Sequence, residues 1–517
     1  MKRNRPSSCN LKNKAYGFIC LILTLFLLSA CTQQEPSTTQ QQQSATETSI
    51  TIPISAKDGL DIYSITSNAN HAALSLCYNG LFYLDRNYTI KPDLAESYSI
   101  NANTVSILIS DSAIFSDGTS VTAEDCKFSF DQAKKSSVYQ QNFFYIVSYT
   151  AKSATEFEVV FSSQNPRNIN LLCIPITKKG TAYNKQSNTF AVGAGKYYLK
   201  QAPSTTSNED LICMYPNNYR NDMTGCKMKQ IILKQYENAS NILYGINYGD
   251  LDAMMADLSD GAESYRGNIE LQSFSNNALT FAVVNRNKKW STNYLEVCKG
   301  LHYGMDRQRL YANVIKGCGK SCWSPLNPDW TEVISADLND DIYDQQAAKT
   351  HFYNGRLYMS AENKLQWYGE DITLNIVVNR ENNLRVKVAN EIADQLQNYG
   401  FGTIVTQLPW EDYQKAIQDG NYDIYIAEVR VPLNMDLTGL LTAIGTPIGE
   451  SLQTALTNFA SGTADVLTLL EAFGQELPII PLYYNNSALA INRQIDGTFT
   501  PSSTNPFNGI ETWSFKS

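Results

Sequence analysis

Histidine is scarce: 517 residues contain three, His71, His302 and His351. They lie far apart, and none stands in the H-E-x-x-H or H-x3-H spacing that gathers a zinc ion. A G-x-S-x-G nucleophile elbow is missing, so no serine-hydrolase chemistry is announced. Two glycine–lysine stretches fall short of a phosphate loop. Gly193-Ala194-Gly195-Lys196 has Phe190 where the first glycine belongs and Tyr197 where a Ser or Thr is needed, and Gly319-Lys320-Ser321 has Val314 at its first position. Positive charge is short as well. The chain has 41 Lys and Arg against 50 Asp and Glu, a net charge of −9, which excludes the basic stripe of a nucleic-acid binder. Past the N-terminus there is no apolar run of the about 18 residues that a membrane helix needs. With 50 acids in the chain, pairs such as Glu124/Asp125, Asp340/Asp341 and Glu411/Asp412 read as solvated faces or helix caps. No enzymatic activity, cofactor or metal site is expected.

The N-terminus is the most legible segment. Lys2, Arg3, Arg5, Lys12 and Lys14 precede an uncharged, mostly apolar stretch from Ala15 to Ala30. It is short for a span and suits the h-region of a signal peptide. Leu28-Ser29-Ala30-Cys31 resembles the lipobox of bacterial lipoproteins, which implies cleavage before Cys31 and lipidation of its thiol. An ordinary secretory signal beside a chance Cys is the competing reading. Residues 32–49 carry no aromatic or aliphatic side chain larger than Ala. They cannot bury enough apolar surface to offset ordering, so a flexible tether is expected. The folded part would then sit outside the cytoplasm, at a membrane surface. Of the 11 cysteines, eight remain after the signal and Cys31. Cys318/Cys322 and Cys213/Cys226 are the local candidates for pairing, although connectivity is not readable from sequence.

Residues 115–130, FSDGTSVTAEDCKFSF, pose a specific question, because Asp117 to Glu124 spells the second half of an EF-hand loop. Ligand count argues against calcium: the positions that need oxygens fall on Ala113 and Phe115. The alternative is local. Ser116-Asp117-Gly118 is turn chemistry, and Thr122-Ala123-Glu124-Asp125 has the form of a capping box opening a helix. Strands are expected near 49–56, 105–109, 156–161, 196–200, 211–215, 228–233 and 281–285, and helices over 71–84 and 295–314. Near the C-terminal half the order is strand 372–378, helix 386–399 ending at Gly400, strand 404–408, helix 411–418 and strand 424–429. That alternation defines an α/β unit. Hydrophobic residues at 43% suffice for several cores, and the 31 tyrosines suit polar-tipped pockets.

Several short motifs follow one another in a recognisable order. They are Tyr78-Asn79-Gly80-Leu81, Lys91-Pro92-Asp93-Leu94-Ala95-Glu96-Ser97, and Phe115-Ser116-Asp117-Gly118-Thr119 running into Thr122 to Asp125. After them come Val192-Gly193-Ala194-Gly195-Lys196-Tyr197, Asn217-Asn218-Tyr219 and Gly249-Asp250-Leu251-Asp252. Met305-Asp306-Arg307, Gly420-Asn421-Tyr422-Asp423 and Pro478-Ile479-Ile480-Pro481-Leu482-Tyr483 complete the series. Together they resemble the family 5 extracellular solute-binding proteins, the peptide/nickel class serving ABC importers.

The resemblance implies an α/β fold: a two-lobed clamp like the periplasmic binding proteins, with an additional subdomain inserted in lobe I. The divisions expected are a signal peptide over 1–30, a tether over 31–49, lobe I over 50–78, 191–280 and 479–517, subdomain II over 79–190 and lobe III over 281–478. It also implies a monomer that is anchored to the membrane through lipid at Cys31, takes a small-molecule or peptide ligand, and partners an ABC permease and ATPase. A chelate, opine or sugar ligand is the alternative, as is a signalling or adhesion role. In peptide-binding members an Asp shortly after "Y-D" holds the ligand's amino terminus, and here that position falls near Pro432. Glu428 or Asp436 would supply the charge instead, and Arg430 would hold a carboxylate through a bidentate pair. Tyr78, Asn79, Trp410 and Asn434 complete the set of expected ligand contacts.

Overall fold

The computed structural model describes residues 48–203, 210–336 and 342–516. The expected signal peptide and Cys31 lie outside them, as does all but the last two residues of the tether. Strand Ser49–Ser55 places Ile50, Ile52 and Ile54 in a buried core. It pairs in parallel with Gln230–Tyr236, and Leu211–Pro216 and Tyr197–Ala202 extend the sheet antiparallel. Trp513 and Phe507, from near the C-terminus, close this core. A second core lies under an antiparallel meander of Ala95–Asn101, Thr104–Ile109, Glu156–Phe161 and Ile146–Ala151. Helix Ala123–Ala133 covers it with Cys126, Phe130 and Ala133.

The third and largest core surrounds a sheet ordered Ala253–Asp257, Ile480–Asn492, Ile269–Val284, Ile424–Arg430, Thr373–Asn379, Gly402–Leu408. The last three strands are parallel, joined through helices Asn383–Gln397 and Trp410–Gln418. Gly400, at φ 86°, ends the crossover after the first of these helices, as its position in the sequence suggests. One long strand, Ile480–Asn492, links the first and third cores. Leu489 and Ile491 pack into the first core, while Leu482, Tyr483 and Tyr484 of the same strand pack into the third. Its partner Ile269–Val284 breaks register between Ser275 and Leu279, at a bulge holding Asn277 with φ 59°. That strand runs unbroken through the lobe boundary expected at 280.

Two expected helices are shorter than their apolar patterns. The one expected over 71–84 is Asn68–Leu74. Beyond it the backbone of Leu76 and Cys77 bonds instead to Tyr197 and Gly195. The one expected over 295–314 breaks after Tyr294–Gly304, because the Asp306 side chain accepts the Arg309 N–H and starts a new turn. All eight described cysteines are free, so neither local pair is a disulfide. Cys213 instead lies 3.4 Å from Gln230 Nε2, and Cys226 lies 3.4 Å from the Tyr197 hydroxyl.

The FSDG stretch is a turn and a capped helix. Gly118 sits at φ 85°, and Asp117 accepts the Thr119 N–H at 3.1 Å and the Lys178 ammonium at 2.5 Å. Thr122 and Asp125 cap each other reciprocally, and Phe115 is fully buried. Among the described residues no cluster of three or more His, Cys, Asp or Glu could hold a metal.

Candidate functional site: a cavity where three cores meet

The family-like motifs converge on one knot. The Ser116 N–H donates to the Gly193 carbonyl at 2.9 Å, and the Gly195 N–H to the Cys77 carbonyl at 3.0 Å. A Cβ on Gly193 would stand 2.0 Å from the Cys77 oxygen, and one on Gly195 2.4 Å from the Leu76 oxygen. Both positions therefore need glycine for close approach rather than for unusual backbone angles. Asn217 Nδ2 donates to the Gly195 carbonyl at 3.0 Å, and Tyr219 lies over Gly118. Arg220 spans the knot. It donates to the Ala194 carbonyl and pairs with Asp93 at 3.2 Å and with Asp222 at 2.9 Å. Asn79 Nδ2 donates to the other oxygen of Asp93. Burial raises the Asp93 pKa despite the opposing Arg220 and Asn79. The Asp222 and Asp93 carboxylates hold the Arg220 guanidinium well above its ordinary value although burial opposes it.

This knot forms one wall of a cavity of about 1070 Å³. That is at the top of the about 300–1,000 Å³ typical of small-ligand sites. His71, on helix Asn68–Leu74, stands on the first-core side. Arg430 to Leu433, leaving the end of strand Ile424–Arg430, supplies the third-core side. The bulge sets that segment. Asn277 Nδ2 donates to the Val431 carbonyl at 2.7 Å, and the Val431 N–H donates to the Asn277 carbonyl at 3.0 Å. Asn277 Oδ1 accepts from Asn327 Nδ2 at 2.8 Å and from Trp330 Nε1 at 3.1 Å.

The expected contacts separate on this geometry. Tyr78, Asn79 and Arg430 line the cavity. The Tyr78 hydroxyl is committed to the Ala191 carbonyl at 3.1 Å, and the Asn79 amide to Asp93, so both act first as wall. Arg430 has no hydrogen-bond or ion-pair partner among the described residues. The other four are not among the cavity-lining residues. Glu428 stands 3.5 Å from Arg385. Asn434 is 1% exposed; it donates to Asn168 Oδ1 at 2.8 Å, and its carbonyl accepts from Asn165. Asp436 accepts the Thr438 N–H at 2.9 Å and stands beside the Tyr145 phenol, which burial, with that carboxylate, pushes up to about 12. Trp410 opens its helix 53% exposed, stacked on Tyr413. His71, Arg86 and Asn277 also line the cavity, and no motif or spacing points to them.

A cavity walled by separate cores, with one continuous strand running from the first core into the third, defines a two-lobed α/β binding clamp. The chain matches the model of bacterial extracellular solute-binding proteins, family 5, over residues 89–442, and it belongs to that family. It is a binding protein, not an enzyme. The glutathione-binding protein GsiB of Escherichia coli (strain K12) is 27% identical over 154 residues. That match covers 27% of this chain and spans 29% of the curated relative's length. Among solved structures, the periplasmic murein tripeptide binding protein MppA in an unliganded open form superposes with TM-score 0.71 at 18% identity, covering 91% of this chain and 98% of that one. NikZ from Campylobacter jejuni in complex with Ni(L-His) gives 0.63 at 19%, covering 90% and 99%. At these identities the structural likeness concerns the fold.

Proposed function

We propose that this chain is the extracytoplasmic receptor of an ABC importer, capturing a peptide between its lobes and presenting it to the permease, with the ATPase driving transport. The observation that carries the reading is the cavity of about 1070 Å³ walled by His71 from one side and Arg430 from the other. A ligand that touches both sides binds the closed clamp better than the open one, which is the condition for ligand-driven closure. GsiB and MppA, named for glutathione and a murein tripeptide, support a short peptide-like ligand. In this reading 50–78, 191–280 and 479–517 form lobe I, 79–190 the inserted subdomain and 281–478 lobe III. The monomer hangs from the membrane by lipid on Cys31. Tyr78, Asn79 and Arg430 belong to the ligand wall. Glu428, Asn434, Asp436 and Trp410 serve the scaffold around it.

Native mass spectrometry of protein purified without denaturation tests this. One co-purified ligand of peptide composition per chain is expected. A ligand with neither amino nor carboxyl group would defeat the peptide reading.

A further inference from the structure

The wall segment from Val431 to Asn434 is held from two sides. On the third-core side the Asn277 bulge brackets Val431. From the other side, three asparagines of the second-core unit reach across to it. Asn165 caps the short helix Pro166–Leu172, and Asn168 and Asn170 lie within that helix. Asn170 Nδ2 donates to the Leu433 carbonyl at 3.0 Å, and Asn165 Nδ2 to the Asn434 carbonyl at 3.0 Å. Asn434 answers by donating Nδ2 to Asn168 Oδ1 at 2.8 Å. Asn168 Nδ2 turns back to the Ser163 carbonyl at 3.2 Å. All four asparagines are buried, and all four amide nitrogens are engaged.

Three features set this seam apart from ordinary core packing. The four side chains carry no charge, and the ion pair of Arg167 with Glu332 flanks them. Amide bonds of this kind exchange for water with little net change when a seam parts, whereas an apolar seam would expose hydrophobic surface. A seam built in this way can be undone and remade. Met435, the next residue, is buried in the third core at φ 58°. A residue with a side chain keeps that conformation where its surroundings impose it. Finally, Leu433 packs against both the second and the third core, and it lines the cavity together with Val431 and Pro432. The segment is thus seam and cavity wall at once, while none of the four asparagines lines the cavity.

Resting on the receptor reading above, we propose that Asn165, Asn168, Asn170 and Asn434 are positioning residues for the ligand wall. They dock the second core on the third reversibly, and Val431, Pro432 and Leu433 hold the shape of the cavity wall in the docked state alone. When the seam parts, the carbonyls of Leu433 and Asn434 turn to water. Met435 then loses the support for its left-handed backbone, and the wall relaxes. Wall and seam are therefore coupled, so that what tightens one tightens the other. A ligand that packs on the wall favours docking without touching any of the four asparagines.

Hydrogen–deuterium exchange on the purified full-length chain, without added ligand, tests this. In the unaltered chain the segments 163–173 and 431–436 should open as one unit. They should do so at the same urea concentration, and before the strands Thr104–Ile109 and Thr373–Asn379 open. Asn168→Ala and Asn170→Ala should each speed exchange over 431–436 roughly tenfold or more, and Asn434→Ala should do the same over 163–173. Exchange in the two reference strands should stay unchanged. A merely structural role would confine each effect to the substituted side or spread it over the reference strands. Either of those results, or independent opening of the two segments in the unaltered chain, overturns the inference. Where a variant does not fold, the unaltered chain decides alone. No ligand enters the measurement, so its failure leaves the receptor reading standing, and the co-purified ligand tests that reading separately.

Discussion

Arg167 and Glu332 form a two-pronged ion pair between the second and third cores, with Arg167 Nε 2.9 Å from both carboxylate oxygens and Nη2 2.5 Å from Oε2. The same guanidinium donates to the Phe459 carbonyl at 2.9 Å and lies 4.1 Å from the centre of the Phe459 ring. Arg167 belongs to the segment beside the antiparallel meander, and its partners belong to the large α/β unit. Its side chain is 10% exposed, against 45% for Glu332, so solvent screens one partner more than the other. Arg167→Gln should loosen this side of the clamp at a cost of about 1–3 kcal/mol. Small-angle scattering should show a larger radius of gyration for the variant without ligand. An unchanged radius would remove this pair from the closing contacts.

Asn277 is the buried pivot of the bulge, holding Val431, Asn327 and Trp330 at φ 59°. Asn277→Gly keeps the backbone conformation and loses the side-chain bonds, whereas Asn277→Ala loses the bonds and adds strain. Both should destabilise, by roughly 2–4 kcal/mol, with Ala the worse. Urea midpoints in which Gly is worse than Ala would contradict the pivot.

The glycines of the Val192 to Tyr197 motif are fixed by contact. Gly195→Ala places a methyl against the Cys77 and Leu76 backbone, where no rotamer change relieves it. Loss of cooperative melting, or a fall of many degrees, is expected. Gly180→Ala, whose Cβ meets nothing within 4 Å, serves as a comparison at φ 81°, carrying strain without a clash.

These positions show what was legible in the sequence. The motif series signalled the family because its members pack on one another: Gly193 on Cys77, Asn217 on Gly195, Tyr219 over Gly118. Such mutual contact ties residue identity to chain order, and sequence displays both. The α/β alternation from Thr373 to Arg430 was readable for the same reason, since period and caps are local. The contacts placed between 428 and 436 were harder. Only Arg430 among the four charged or polar residues chosen there faces the cavity, because a bulge at Asn277, far away in sequence, sets the path of the strand end. The helix expected to run to residue 84 failed through a tertiary effect as well. Leu76 and Cys77 find backbone partners at Tyr197 and Gly195, and the apolar pattern does not record that competition.

Acid should destabilise the fold through His302. It is fully buried 3.1 Å from Arg307 Nη2, and burial first, with the guanidinium second, holds its pKa well below the ordinary 6.5. The unfolded chain takes up that proton near its ordinary pKa and the folded chain refuses it. The stability is therefore complete above about pH 6.5 and falls as pH drops below it. His71, shifted the same way, adds the same sign. Urea midpoints should be lower at pH 5.5 than at pH 7.5, and His302→Gln should shrink the difference. An undiminished difference in the variant would assign the effect elsewhere.

Calcium at a few millimolar, enough for weak extracellular sites, should leave the melting temperature unchanged. Asp117 and Glu124 already serve Thr119, Lys178 and Lys179. A clear upward shift would restore the metal reading of that stretch.

The central claim is that the cavity between His71 and Arg430 is the ligand site. A crystal structure of the ligand-loaded protein tests it most directly. Ligand density filling that cavity is predicted, with an acidic group within hydrogen-bond distance of Arg430 and further contacts from the His71 side. An empty cavity with the ligand bound elsewhere on the chain would contradict the account.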